Sequence, residues 1–199
     1  MQGWLMQLCA ANNVEIVEDY NQGLDPDALS DDLTSHGWCL GMVMDWLRCK
    51  RNHVDFWNSF HSGDGKLRVR YIMARQALAD KKGTTADVVN KMQVALGQAG
   101  MRLQSSEHED VAHVSAANLY NSLSGCRGRY VSLVIGGVGA SHAIGILISQ
   151  TQLVLMDPNA GEFVFPNKAT FRKWLSVYLT GMNYSGVGML SEYQMDAFA

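Results

Sequence analysis

Apolar and polar positions divide this chain into two stretches of different period. Up to about residue 125 the apolar residues recur at helical spacing. They predict helices over 4–12, 38–51, 66–80, 85–99 and 114–123, with one short strand at 101–105. Thr84 or Thr85 is placed to cap the fourth helix, and Gly97 and Gly100 punctuate its end. The stretch 52–62, with His53, Phe56, Trp57, Phe60 and His61, follows neither period. From Gly128 the pattern changes to short, largely β-branched runs between polar turns. These predict strands at 129–136, 142–149, 152–157 and 161–166, followed by an amphipathic helix at 170–181. Helices first and an antiparallel sheet after is an α+β layout. No internal repeat or low-complexity linker breaks it, so residues 1–199 read as a single domain.

One hairpin in the second stretch carries chemistry. Ala143–Ser149 and Leu153–Met156 flank the turn-forming Ser149-Gln150-Thr151-Gln152. With a two-residue loop at Ser149-Gln150, residues whose numbers sum to 299 face each other, and His142 and Asp157 are such a pair. Any loop of even length keeps these two on one face of the sheet, because side chains alternate with period two; an odd loop would separate them. The turn Asp157-Pro158-Asn159-Ala160-Gly161 follows directly.

Cys39 opens a largely apolar helix, Trp38-Cys39-Leu40-Gly41-Met42-Val43-Met44-Asp45-Trp46-Leu47, behind the turn-rich Asp31–Gly37. In a first helical turn the free backbone N–H groups and the helix dipole stabilise a thiolate, and the same groups can hold an oxyanion. The order along the chain is therefore thiol, imidazole, carboxylate, the set a thiol nucleophile needs.

Taken singly, each feature has an ordinary reading. A helix-start cysteine is commonly a buried hydrophobe, a strand-start histidine a satisfied core residue, and Asp-Pro-Asn-x-Gly a good β-turn. Their order and the matched parity of His142 and Asp157 favour a catalytic site. His36 is the rival base, but its ring would have to fold back over the helix start. His53, His61, His108 and His113 have no acid at a telling spacing and read as structural. His108-Glu109-Asp110-Val111-Ala112-His113 has a metal-like spacing without a third ligand, so no metal and no cofactor is expected.

The Gly-Trp-Cys helix start (Gly37 to Cys39), Ser141-His142-Ala143-Ile144 and Asp157-Pro158-Asn159-x-Gly161-x-Phe163 resemble the YopT/AvrPphB family of cysteine proteases, over roughly Ser35 to Trp174. The resemblance implies a papain-like fold, a helical N-terminal half packed on a central antiparallel β-sheet, with a catalytic core at about 35–182. It makes Cys39 the nucleophile, His142 the general base and then acid, and Asp157 the orienting carboxylate. It implies a bacterial effector or toxin that acts in the host cytosol and cleaves a host signalling protein, a prenylated Rho-family GTPase or a kinase. Papain-like enzymes carry an amide side chain about six residues before the nucleophile to complete the oxyanion hole. Here Leu33 stands there, and no Asn or Gln lies between Gln22 and Cys39, which leaves Thr34 or Ser35 with the Cys39 backbone N–H. The same triad also serves deamidases, transglutaminases and acyltransferases, although those toxins usually place Cys and His closer than the 103 residues here. A non-enzymatic binding module is the third reading.

Composition narrows the field. With 47% hydrophobic and 18% charged residues, 199 residues can bury one sizeable core. A net charge of −3 gives no reason to expect nucleic acid or an acidic membrane as partner. No apolar run is long enough to span a membrane. The start has neither a cleavable secretory signal nor a myristoylation site, so export without a signal peptide is expected. Cys9, Cys49 and Cys126 form no Cys-x-x-Cys pair and read as small buried hydrophobes in a reducing compartment.

Overall fold

The computed structural model describes residues 2–30, 37–80, 100–110, 114–137, 140–150, 152–184 and 186–199. Its strands are β1 (Glu15–Glu18), β2 (Leu103–Asp110), β3 (Tyr130–Gly137), β4 (Ala140–Ile148), β5 (Leu153–Asp157), β6 (Gly161–Phe165) and β7 (Glu192–Phe198). They form one sheet in the order β1-β6-β5-β4-β3-β7-β2, with every neighbouring pair antiparallel. The helices are α1 (Gly3–Ala11), α2 (Pro26–Leu29), α3 (Cys39–Arg51), α4 (Phe56–His61), α5 (Asp64–Asp80), α6 (Ala116–Gly125) and α7 (Lys168–Gly181). The architecture is the α+β fold expected from the pattern, with a larger sheet. The helix predicted at 85–99 lies outside the described residues.

Alternation along the strands sorts the core onto two faces. Val131, Leu133, Ile135, Ile144, Ile146, Leu153, Leu155, Phe163 and Phe165 face one side, where α1, α6 and α7 cover them. Ala143, Val154, Met156 and Val134 face the other, against α3, α4 and α5. Helices thus lie on both faces, and α1 joins the C-terminal helices instead of the remaining N-terminal ones. Hydrophobic pattern explains this: Leu5 and Cys9 of α1 are buried with Trp174, Leu175 and Tyr178 of α7.

Two strands at one end of the sheet differ from expectation. β7 sits between β3 and β2, and its alternation of Tyr193, Met195 and Ala197 buries one face. β2 runs to Asp110, well past the predicted end at 105, because Ser105 to Asp110 pair with β7 by backbone bonds that a polar sequence does not advertise. In the unassigned stretch, Asp55 caps α4, and Phe56, Trp57 and Phe60 pack with Tyr20 and Trp38 in an aromatic cluster.

α3 is held close to the sheet at two points. A Cβ on Gly145 of β4 would stand 2.9 Å from the Trp46 ring, so only glycine lets the helix approach this far. The ring cannot retreat, because Trp46 Nε1 donates to Glu162 Oε2 on β6 (2.9 Å). Trp57 Nε1 donates to the same oxygen (2.8 Å) and Lys50 Nζ to Oε1 (2.6 Å). Glu162 is fully buried, and three donors satisfy its charge. On the outer side, the buried carboxylate of Asp45 accepts from Arg48 Nε (2.7 Å) and Arg68 Nε (3.2 Å), tying α3 to α5. Gly145→Ala is expected to lower stability by about 1–3 kcal/mol through overpacking. Thermal unfolding reads this as a Tm drop of roughly 2–4 °C per kcal/mol; an unchanged Tm would show that α3 can shift freely.

Candidate active site

Cys39 is the first residue of α3, His142 lies on β4 and Asp157 ends β5. The three are 8%, 3% and 0% exposed. His142 Nε2 lies 2.8 Å from Asp157 Oδ1. Paired residues of β4 and β5 sum to 301, as in Gly145↔Met156 and Ile148↔Leu153, not to 299. Four residues, 149–152, join the strands instead of two, and Ser149 N and Oγ both bond Gln152 O across the join. The loop remains even, so both side chains stay on the α7 face. Their relation is diagonal, a separation of roughly 7–8 Å that a long side chain spans.

α3 starts without a side-chain cap, whereas α2, α4, α6 and α7 are capped by Asp25, Asp55, Ser115 and Asn167. The N-cap side chain therefore takes no donor at the head of α3; Gly41 N donates to Met73 Sδ (3.1 Å), and among the described residues the Cys39 N–H has no capping partner. Burial pushes the Cys39 thiol up, but hydrogen bonding to the His142 ring and its charge outweigh this, helped by the backbone at Ala143 and Leu40. The net result lies below the ordinary thiol value. Cys9, Cys49 and Cys126 move the other way. Burial raises all three, and the nearby Asp45 and Glu107 charges help bring Cys49 and Cys126 to about 11. Cys126 is half-buried, not fully buried as expected, because it lies just past the end of α6.

Burial works against a charged imidazole at His142, yet the charge and hydrogen bond of Asp157, followed by those of Cys39, push it up to about 10. Asp157 is opposed by burial as well. The His142 charge and bond, then Tyr178 and the Asn159 N–H, hold it below the usual carboxylate range. Oδ1 accepts from His142 Nε2 and Asn159 N (2.7 Å), and Oδ2 from the hydroxyls of Tyr178 (2.6 Å) and Tyr184 (2.7 Å). The carboxylate claims Nε2–H, so Nδ1 is the nitrogen left for the thiol.

Gln22 joins the site from the short 3₁₀ turn Gln22–Leu24. Trp38 N donates to Gln22 Oε1 (2.8 Å), and Gln22 Nε2 donates to Asn159 Oδ1 (2.9 Å). A backbone N–H can only donate, so it fixes which end of the amide faces which partner. Asn159 Nδ2 is then the end 3.5 Å from His142 Nδ1. Gly37, at φ +85°, takes the left-handed conformation that swings the chain past this amide into Trp38.

Of the residues singled out in the sequence, Cys39, His142 and Asp157 come together. Thr34, Ser35, His36 and His113 lie outside the described residues. His61 bonds Glu18 (3.1 Å) at the surface, and His53 is exposed. Among the described residues no group of three or more His, Cys, Asp or Glu could hold a metal ion. Gln22, Asn159, Tyr178 and Tyr184 were not anticipated. Asn159 lies inside the Asp157–Phe163 motif, and the helical spacing of Tyr178 with Phe171 and Trp174 reads as core.

A helix with a thiol at its head, packed on an antiparallel sheet that carries a histidine, is the architecture of the papain-like fold. The chain belongs to the peptidase C58 family, described as Yersinia/Haemophilus virulence surface antigen, whose profile matches residues 6–188. It is a cysteine peptidase of a bacterial virulence-effector family. Among solved structures, the Pseudomonas avirulence protein AvrPphB has a TM-score of 0.60 at 17% identity, over 85% of this chain and 95% of that one, which shows a shared fold. The YopT domain of the Pasteurella multocida PfhB2 toxin also matches, with a TM-score of 0.37 and 19% identity over 90% of this chain and 92% of that one. PatoxP, a cysteine protease-like domain of the Photorhabdus asymbiotica toxin PaTox, matches with a TM-score of 0.42 and 13% identity over 96% and 57%. No curated protein matches the chain.

The opposite thiol shifts give a direct test. Iodoacetamide at pH 6 is expected to label Cys39 ahead of Cys9, Cys49 and Cys126, because a thiol held below its ordinary value carries a larger thiolate fraction than thiols pushed above it. In His142→Ala that preference should vanish; peptide mapping that finds equal, slow labelling in both proteins would make Cys39 a structural thiol.

Proposed function

We propose that this peptidase is an effector that cleaves a host protein through Cys39, His142 and Asp157, within one catalytic domain. The observation that carries the assignment is the buried His142–Asp157 hydrogen bond beside Cys39 at an uncapped helix start, where the His142 ring holds the thiol below its ordinary value. Cys39 Sγ, as thiolate, attacks the scissile carbonyl carbon, and the carbonyl π pair moves onto oxygen. The Cys39 N–H and the second proton of Gln22 Nε2 hold that oxyanion; Thr34 and Ser35 are not needed for it. Collapse re-forms the carbonyl and breaks the C–N bond, with the leaving amine taking the proton from His142 Nδ1. His142 next takes a proton from water, whose oxygen attacks the thioester. Loss of the C–S bond returns the thiolate. Throughout, Nε2–H stays with Asp157, which keeps the ring in one tautomer.

The substrate reading follows the family resemblance: a host signalling protein, either a prenylated Rho-family GTPase or a kinase, met in the host cytosol. No helix among the described residues is long and apolar enough to cross a membrane. A cavity of about 220 Å³ lined by Tyr20, Leu24, Asn159, Ala160 and Met182 borders the Asn159 side of the site and offers room for a substrate side chain. A cavity of about 550 Å³ bounded by Glu107, Ser122, Tyr193 and Met195 shares no residue with it.

Incubation with host-cell cytosol, followed by mass-spectrometric mapping of protein termini, tests the reading. Wild type should create new termini that are missing with Cys39→Ala. Side-chain mass changes without new termini would replace cleavage by deamidation or acyl transfer. Gln22→Glu keeps an acceptor for Trp38 N–H but loses the amide donor, and should lower kcat by about 10²–10³. Undiminished kcat would remove Gln22 from the oxyanion site.

A further inference from the structure

We propose that Tyr184 is a positioning residue for His142, its ring covering one face of the imidazole while its hydroxyl and that of Tyr178 close the outer oxygen of Asp157. The inference rests on the reading that His142 serves Cys39. The Tyr184 ring lies 5.2 Å from the His142 ring, at 25° between planes, so it is stacked on it. Its hydroxyl donates to Asp157 Oδ2 at 2.7 Å, next to the Tyr178 hydroxyl at 2.6 Å. One side chain therefore contacts both members of the pair.

Its aim is set by the chain. α7 ends at Gly181, and Asn183 follows at φ 58°, in the left-handed conformation that commonly ends helices. That turn reverses the backbone and sends Tyr184 back towards Asp157. Met189 N closes the returning loop on Tyr184 O at 2.9 Å. Tyr178, one turn before the end of α7, arrives at the same oxygen from the helix.

An ionised carboxylate offers about four lone-pair sites. Asp157 fills them with His142 Nε2, Asn159 N and the two hydroxyls. No site is left for water or substrate, and the carboxylate cannot rotate without breaking two bonds on each oxygen. Both phenols are raised well above their ordinary value by burial and then by the Asp157 charge, so they remain donors at any working pH. The titratable groups facing His142 are Cys39 from α3, Asp157 from β5, Tyr178 from α7 and Tyr184 from the turn after it. The two phenols offset part of the Asp157 charge felt by the thiolate and imidazole. Removal of a hydroxyl leaves that negative charge less offset, so the thiolate takes up its proton at higher pH.

The experiment is the pH dependence of Cys39 alkylation by iodoacetamide in wild type, Tyr184→Phe, Tyr184→Leu, Tyr178→Phe and the remote Tyr193→Phe. Tyr184→Phe keeps the stacked ring and is expected to move the acid limb up by roughly 0.5–1 pH unit, with the plateau rate retained. Tyr178→Phe should move it the same way. Tyr184→Leu should also lower the plateau about tenfold, and Tyr193→Phe should change neither. A Tyr184→Phe profile that superposes on wild type, or that drops at every pH without a moved limb, overturns the proposal. If wild-type Cys39 itself shows no preferential alkylation, the catalytic reading fails first, which separates the two. Should the Tyr184 variants not fold, an unmoved limb in Tyr178→Phe overturns it equally.

Discussion

A carboxylate with no solvent exposure stays charged only if donors replace the water it has lost. Asp157 meets that condition with donors from a neighbouring strand, its own turn, a helix and the segment beyond that helix. Much of the architecture on the α7 face can be understood from this one requirement. β4 and β5 must pair with an even loop, α7 must lie across the ends of these strands, and the chain after α7 must turn back. Each of these is a packing event, and together they converge on two oxygen atoms.

The thiol comes from the other side of the sheet. α3 belongs to the opposite core, and Cys39 reaches His142 at the start of β4. The distance from thiol to imidazole thus depends on how firmly α3 sits on the sheet. Gly145 permits close approach, while the buried Glu162 holds both indoles and Lys50. Gln22 adds a tie at the site itself, linking the backbone ahead of Cys39 with the turn after Asp157. The geometry of the candidate site is therefore held by contacts on both faces, as chemistry that tolerates little misplacement requires.

The period-two run from Gly128 to Phe165 was legible because alternation reports burial directly. The parity of His142 and Asp157 survived an error of two in register, since only oddness would have mattered. β1 and β2 were less legible: they are edge strands, and Glu15, Ile16 and Glu18, like Ser105 to Asp110, hold their places by backbone pairing. β7 had an alternating pattern, but it follows a helix and a run of turns that hid its membership of the sheet. Gln22 and Tyr184 sit in irregular chain, where no period exists to place a side chain. Their roles depend on contacts across 137 and 27 residues respectively, which sequence spacing does not encode.

The position of β7 bears on how the molecule is assembled. Residues 192–198 pair with 130–137 on one side and 103–110 on the other, so the sheet interior is finished by chain made long after its neighbours. Pairings of such sequence separation are slow to close. While they are open, β3 lacks one partner and the strand bearing His142 is backed by an incomplete sheet. A nascent or unfolded chain would hold its cysteine and histidine without a rigid frame to align them. The alignment of the two would then arrive with completion of the sheet, so the last strand to be made sets when the site takes shape.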